Sequence, residues 1–216
     1  MINHLSQNHL CSVTLLGNLV AKPDIRYQAN PVLAVAELVL ATHSRWFDKT
    51  SQQFKEWTSY HTVKVIGDIV DRSLIHSQKG DIILVQGYLL NSKKANREIL
   101  HATYAQTFAK GYAQSINQVH MSGEISSDIN LVLTENNKEL VALNLTVNNL
   151  VYSPITQQTQ NISIERSVHI WGKQAHYIKD KAELGDQLVV DGRLSYLNDS
   201  KKSQFIDSHQ VILLKH

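Results

Sequence analysis

The chain has 216 residues, of which 43% are hydrophobic and 19% charged, and its formal net charge is +2. These values exclude an intrinsically disordered chain, and the length suits one large domain or two smaller ones. No apolar run approaches the roughly 20 residues that span a bilayer, and "MINHLSQNHL" does not resemble a signal peptide. The single cysteine, Cys11, excludes an intrachain disulfide and favours a reducing, cytoplasmic location.

The first half of the sequence predicts three strands, a helix and two strands. β-branched and apolar residues, often alternating, mark strands over residues 11–20, 31–42 and 57–67. In residues 68–78 the apolar side chains are placed on one helical face, and Gly80 marks the end of that helix. Strands over residues 81–90 and 98–108 follow.

The second half predicts the same order of elements. Its strands are expected at residues 117–125, 140–149, 162–171, 187–195 and 203–214, with a helix at residues 173–182. This order is typical of the OB-fold, a five-stranded Greek-key barrel that often binds oligonucleotides. We therefore predict an all-β protein of two tandem OB-folds, each with five strands and one helix between strands 3 and 4.

Glycines kept in step support this internal repeat. Gly17 and Gly123 are 106 residues apart, as are Val35-Ala36 and Val141-Ala142, whereas later glycine pairs such as Gly67 and Gly172 are 105 apart. Two copies are too few for a solenoid, so we predict domains at residues 1–112 and 113–216, joined near residues 109–115.

Charge is divided unevenly between the two predicted domains. Residues 1–112 carry 12 lysines and arginines against 8 acidic residues, a net charge of +4. Residues 113–216 carry 9 against 11, a net charge of −2. The basic first half fits a polyanion partner, although an excess of this size also occurs on ordinary surfaces.

Catalytic and metal-binding motifs are absent from the sequence. It contains no phosphate loop, nucleophile elbow or cluster of carboxylates, so we predict no enzyme activity and no cofactor. None of the 11 histidines has metal-ligand spacing with the one cysteine, and we predict no metal site. Cys11 opens a strand and is expected to be a small core residue.

Four motifs in the first half carry a family resemblance. "VTLLGNLVAKPDIRY", "ATHSRWFDK", "EWTSYHTVKVIG" and "KGDIILVQGYL" resemble, in order and spacing, the bacterial single-stranded DNA-binding protein family over residues 11–108. The second half matches in outline through "VHMSGEI", "VALNLTV", "VHIWGK" and "LGDQLVVDGRL". "VQGYLLNSKKANREILHA" is also similar to the end of primosomal replication protein N. The resemblance implies binding of single-stranded DNA with little sequence preference, in replication, recombination or repair, by a homodimer with four OB-folds.

The resemblance also implies which residues of the first copy bind DNA. Trp46 and Tyr60 occupy family stacking positions, and Phe54 and Trp57 lie close by in the sequence, although aromatic residues on a barrel can instead pack the core. His61 falls where the family has a subunit-contact histidine. Arg26 and Tyr27 match the family's "RY" pair. The other cations expected to contact DNA phosphates are Arg45, Lys64, Lys93, Lys94 and Arg97. Two family aromatic positions are lost, one at Ile66 and one near Lys94.

The second copy is expected to restore part of what the first lacks. Trp171 stands at the position of Ile66, and Tyr152 is aligned with Trp46. Linking two barrels raises the local concentration of the second site. The net negative charge of this half leaves open a weaker or architectural role. The remaining candidate DNA contacts here are Arg166, Lys173, Arg193, Tyr196, Lys201 and Lys202.

The sequence ends in "SHQVILLKH", without the acidic tip that recruits partners in the family. We therefore expect the partner-recruiting tail to be absent. Two alternatives remain open at this point. One is a primosome-type adaptor, with one barrel on DNA and the other on a protein. The other is a scaffold whose barrels only dimerise or bind protein.

Overall fold

A computed structural model describes residues 8–49, 51–92, 97–199 and 201–215, with the side chains of Ser92 and Arg97 outside the description. The chain divides into a first unit, residues 13–117, and a second unit, residues 118–215 together with residues 8–12. No helix within the described ranges is long and apolar enough to span a membrane.

The first unit is a closed barrel with an added edge strand. Its strands neighbour one another in the order β2-β3-β4-β6-β5-β1, and pairing of β1 with β3 closes the barrel. β4 and β6 run parallel, whereas the other neighbours are antiparallel. The elements are β1 (Cys11–Leu19), β2 (Asp24–Ala29), β3 (Val32–Asp48), β4 (Gln53–Ile66), α1 (Asp68–Ser73), β5 (Ile82–Ser92) and β6 (Arg97–Phe108).

The second unit repeats this topology. Its strand order is β8-β9-β10-β12-β11-β7, closed by β7 against β9, with β10 and β12 parallel. Both units are therefore OB-folds with a helix between the third and fourth barrel strands, which confirms the predicted fold class. The elements are β7 (Ile116–Ile125), β8 (Leu131–Leu133), β9 (Glu139–Ser153), β10 (Gln158–Trp171), α2 (Gly172–Lys181), β11 (Gln187–Tyr196) and β12 (Gln204–Leu214).

Alternating side chains build the core of each barrel. Every second residue of β1 and of β11 is buried, as the period of two in a half-buried strand requires. Each helix closes its barrel with two fully buried side chains, Val70 and Leu74 near α1 and Ala175 and Ile178 in α2. Burial of each large aliphatic side chain contributes about 1.5–3 kcal/mol.

Glycines stand where strands approach too closely for a side chain. A Cβ at Gly87 would lie 2.0 Å from the carbonyl oxygen of His101, and one at Gly17 would lie 2.4 Å from that of Ala41. The matching positions Gly192 and Gly123 are also crowded, because a Cβ there would lie 2.6 Å and 2.8 Å from a carbonyl oxygen. These four glycines are therefore required by close strand approach, two at the closing pairs of the barrels and two where β5 meets β6 and β11 meets β12.

Both units differ from the prediction in their hairpins. β2 and β8 are strands that the sequence pattern did not indicate. β3 and β4 reach Asp48 and Gln53, whereas the predicted strands ended at residue 42 and began at residue 57. α1 ends at Ser73, earlier than the predicted residue 78.

The strand register also corrects the alignment of the two copies. Val35 lies opposite Ile66, and Leu140 lies opposite Trp171, so β3 and β9 match with an offset of 105 residues. The offset of 106 holds for β1 and β7, where Asn18 and Glu124 make the equivalent closing pairs. The match of Val35-Ala36 with Val141-Ala142 was therefore wrong by one residue.

Candidate nucleic-acid interface

The hairpin formed by β3 and β4 carries five exposed aromatic side chains. Trp46 is 45% exposed, Phe47 46%, Phe54 61%, Trp57 60% and Tyr60 56%. Rings of this size are usually buried in a folded protein, and a contiguous exposed group of them marks an interaction site.

Register divides these rings between two faces of the hairpin. Residues directly opposite in an antiparallel pair project to the same face, and successive residues alternate. Phe47 lies opposite Phe54, whereas Trp46 lies opposite Lys55 and Trp57 opposite Ser44. The tryptophans share the inner face, which continues toward the barrel core, and the phenylalanines share the outer face.

The outer face also gathers the basic candidates of the first unit. The Arg45 guanidinium lies 4.4 Å from the centroid of the Phe54 ring, and the Phe47 and Phe54 rings meet edge to face at 5.3 Å. Flat rings and a stacked guanidinium are the groups on which bases stack. The register places on this face Arg26, Arg45, Phe47, Phe54, Tyr60 and Lys64.

A carboxylate accompanies each cation of the outer face. Arg45 Nε lies 3.5 Å from Glu56, and Arg26 pairs with Asp24. Lys64 lies directly opposite Glu37. Exposed pairs contribute only about 0–1 kcal/mol, so a phosphate could replace these carboxylates at little cost. The face is rich in cations but has little net charge.

Tyr27 lies on the opposite side of β2 from Arg26. It pairs in register with Ala34, and its hydroxyl donates a 2.7 Å hydrogen bond to Asp71. That hydrogen bond raises the pKa of the Tyr27 phenol. The ring is exposed, but its polar end is held beside α1, so the predicted "RY" pair is divided between two faces.

His61 does not lie where a subunit contact requires it. It is 1% exposed, faces the barrel interior, and its Nε2 lies 2.8 Å from Thr42 Oγ1. Burial lowers the pKa of His61 to about 4. The predicted oligomer contact was therefore wrong, because the strand register turns this side chain inward.

Arg166 occupies the position of His61 in the second unit and is also buried. It is 2% exposed, and its Nη1 donates a hydrogen bond to the Glu165 carbonyl oxygen at 2.9 Å. The prediction that Arg166 contacts a phosphate was wrong, because the strand register turns this side chain inward, as it does for His61. Lys93, Lys94 and the side chain of Arg97 lie outside the described residues.

Trp171 and Arg193 share one carboxylate in the second unit. Trp171 Nε1 donates to Asp207 at 2.7 Å, and Arg193 donates through Nε and Nη2 at 3.0 and 2.8 Å. The half-buried indole is thus fixed by its edge. It borders a cavity of about 680 Å³ lined by Asn137, Lys138, Glu139, Trp171, Gly172, Arg193, Asp207 and Ser208.

The β9–β10 hairpin does not reproduce the aromatic surface of the first unit. Its position equivalent to Trp46 is Val151, which is 6% exposed, and Tyr152 instead matches Phe47. The earlier alignment of Tyr152 with Trp46 was therefore wrong. Glu165 stands in the place of Tyr60 and accepts a hydrogen bond from Asn144.

The remaining candidates of the second unit lie outside the β9–β10 hairpin. Lys173 is exposed in the first turn of α2, and Lys201 and Lys202 are exposed before β12. Tyr196 is half-buried, and its hydroxyl accepts a hydrogen bond from Gln204 Nε2 at 3.2 Å. Among the described residues, no group of three or more His, Cys, Asp or Glu side chains could hold a metal ion.

Phe47 is the functional candidate that the sequence analysis missed. It directly follows Trp46 in "HSRWFDK". The available signal was strand alternation, because two adjacent rings on a strand must point to opposite faces.

A tandem pair of OB barrels, one with an exposed aromatic and basic hairpin, defines a class of protein suited to single-stranded nucleic acid. The model of the single-strand binding protein family matches residues 10–109 and 116–213, so the chain belongs to that family.

Proteins of Thermus aquaticus are among its relatives. The single-stranded DNA-binding protein of that organism is 28% identical over 210 residues, which cover 88% of this chain and 76% of the relative. The crystal structure of the wild-type Thermus protein matches with a TM-score of 0.76 at 26% identity, covering 97% of this chain and 95% of that one. The crystal structure of a deletion mutant of the same protein matches with a TM-score of 0.79 at 26% identity, covering 97% of this chain and 96% of that one.

Proposed function

We propose that this protein binds single-stranded DNA with little sequence preference and protects or organises it in replication, recombination or repair. The observation that carries the proposal is the exposure of five aromatic side chains on one hairpin. Membership of the family supports it. Stacking contributes about 1–3 kcal/mol per base and accepts any base, because every base has a flat face.

The proposed binding surface centres on the first unit. Stacking is expected to contribute more than charge, because each described cation of the outer face has a carboxylate beside it or opposite it. Lys93, Lys94 and Arg97 stay in the proposal as phosphate contacts. The other first-unit members are Arg26, Tyr27, Arg45, Trp46, Phe47, Phe54, Trp57, Tyr60 and Lys64.

The second unit is proposed to contribute less to DNA binding. Glu165 replaces a stacking ring, and Asp207 neutralises Arg193. These two observations favour the adaptor alternative, in which the second barrel docks a protein partner. The second-unit residues kept as DNA contacts are Tyr152, Trp171, Lys173, Arg193, Tyr196, Lys201 and Lys202.

The proposal extends to assembly and location. We expect a cytoplasmic homodimer with four OB-folds, built from domains at residues 1–112 and 113–216, and no catalytic activity. The family resemblance supports this arrangement. Light scattering coupled to size-exclusion chromatography should give twice the mass of one chain, and the mass of a single chain would contradict it.

Fluorescence anisotropy tests the proposed ligand directly. A labelled oligo-dT should bind, unlabelled oligonucleotides of mixed sequence should compete within a few-fold of oligo-dT, and duplex DNA should compete poorly. Failure of oligo-dT to bind at low salt would reject the proposal in favour of a protein-binding scaffold. Strong preference for duplex would reject it as well.

A further inference from the structure

The tip of the β3–β4 hairpin is a two-stranded ribbon. The ladder of β3 with β1 ends at Ala41, and the ladder of β4 with β6 begins at Val63. Among the described residues, 44–48 and 53–57 form ladder pairs only with each other. We call these residues the ribbon. The aromatic rings on both sides of the ribbon are exposed, so both of its faces can contact a ligand.

Both faces of the ribbon present aromatic rings. Trp46 and Trp57 are diagonal neighbours on the inner face, since Trp46 lies opposite Lys55, two residues before Trp57. Phe47 and Phe54 lie directly opposite each other on the outer face. The exposed fractions are similar on the two faces, 45% and 60% for the tryptophans and 46% and 61% for the phenylalanines.

One nucleotide cannot contact both faces. Layers of side chains on opposite sides of a sheet are separated by its backbone, because successive side chains of a strand point to opposite faces. A base stacks on a ring at van der Waals distance and so reaches one layer only. A strand that uses all four rings must therefore approach the ribbon twice.

We propose that the ribbon holds two separate segments of one single strand, with unpaired bases stacked on Trp46 and Trp57 on one face and on Phe47 and Phe54 on the other. This inference rests on the proposed binding of single-stranded DNA. It assigns to Phe47 and Phe54 a second site for nucleobases, distinct from that of the tryptophans.

The exposed guanidinium of Arg45 on the outer face, which Glu56 pairs at 3.5 Å, favours nucleic acid over an apolar protein partner. Arg45 lies against the Phe54 ring and is 60% exposed, so a base and a phosphate could be bound side by side. Tyr60 and Lys64 continue this surface toward the barrel. A phenylalanine pair that only stabilised the hairpin would not need these neighbours.

Leucine substitutions separate stacking from hairpin stability, because leucine keeps an apolar cross-strand contact and removes the flat ring. The outer variant is Phe47→Leu with Phe54→Leu, and the inner variant is Trp46→Leu with Trp57→Leu. Tyr104→Leu is the matched control, since Tyr104 is 46% exposed on β6, away from the ribbon. Thermal unfolding checks that each variant is folded.

Two lengths of oligo-dT reveal whether the segments are separate. One of about 5 nucleotides covers one face, and one of about 30 nucleotides can reach both. In the outer variant, we expect the short strand to quench tryptophan fluorescence with affinity within about twofold of wild type. The same variant should bind the long strand at least about tenfold more weakly. The inner variant should still bind the short strand by anisotropy, and the control should match wild type.

Three results would overturn the proposal. If the outer variant bound the long strand as tightly as wild type does, Phe47 and Phe54 would contact no DNA. They would then be assigned to binding of a protein partner. Loss of short-strand quenching in the outer variant would show one continuous site. If wild type bound neither strand, the proposed function itself would fail, an outcome distinct from the other two.

Discussion

Two buried histidines make the first unit sensitive to acid. His61 pairs with Thr42, and His101 Nδ1 lies 2.7 Å from the Tyr88 hydroxyl. Burial lowers the pKa of each histidine to about 4, and Lys64 further lowers that of His101. The folded barrel therefore holds both rings neutral.

Burial of these two histidines predicts that the protein loses stability as the pH falls from 6.5 to about 4. Because the folded pKa values lie below the unfolded value, the stabilisation is complete above pH 6.5 and declines as the pH falls toward 4. A pKa lowered from 6.5 to about 4 corresponds to about 3 kcal/mol of unfolding free energy per histidine. Denaturant unfolding at a series of pH values should show the decline, and His101→Gln should make it shallower. Equal pH dependence in the two proteins would contradict the prediction.

Glu56 is predicted to oppose DNA binding. It forms an ion pair with Arg45, which a phosphate would otherwise contact, and both side chains are well exposed. Glu56→Gln should strengthen binding of oligo-dT a few-fold at low salt and steepen the salt dependence by about 0.7 in log-log slope. Glu135→Gln, an exposed carboxylate of the second unit, is the control. An unchanged slope in Glu56→Gln would show that Arg45 contacts no phosphate.

At the scale of elements, the barrel strands were predictable and the ribbon was not. Strands that line a core alternate buried and exposed residues, as β1 does, and that alternation is visible in the sequence. The ribbon and most of β2 are exposed on both faces, so "RWFDK" and "DIRYQA" show no such pattern. The offset of 105 residues between β3 and β9 was missed because a Val-Ala pair occurs in both strands. In β9 this pair lies one position beyond the residues that match Val35-Ala36.

Close approach of β5 to β6 at a bulge predicts a severe effect of substitution at Gly87. An alanine there would place its Cβ 2.0 Å from the His101 carbonyl oxygen and 2.8 Å from the Ala102 Cα, so the backbone must move. We expect Gly87→Ala to destabilise the first unit by about 1–3 kcal/mol or more. Gly111→Ala is the matched control, because its Cβ would meet nothing closer than 3.7 Å. Equal thermal stability of the two variants would contradict this account.

At the scale of the whole molecule, the two copies keep one fold and differ in their surfaces. The hydrogen-bonded Tyr88 and His101 of the first unit correspond to the ion pair of Arg193 and Asp207 in the second. The sequence revealed the repeat and most of the aromatic candidates. It could not reveal that Arg166 is buried, because an arginine is rarely a core residue.

This division between the copies predicts unequal contributions to binding. The first unit carries five exposed rings on its hairpin, whereas Trp171 is half-buried and fixed by Asp207. We expect Trp46→Leu to weaken oligo-dT binding by about 1–3 kcal/mol, the range for one stacked base. Trp171→Leu should weaken it less. Equal losses would place the strand on both units alike.

The most direct measurement is titration of the wild-type protein with oligo-dT, followed by tryptophan fluorescence at low and high salt. Our account predicts strong quenching, because stacked bases cover Trp46 and Trp57. It also predicts modest weakening by salt, because carboxylates already accompany the described cations of the outer face. Absence of quenching and of any binding at low salt would contradict the account.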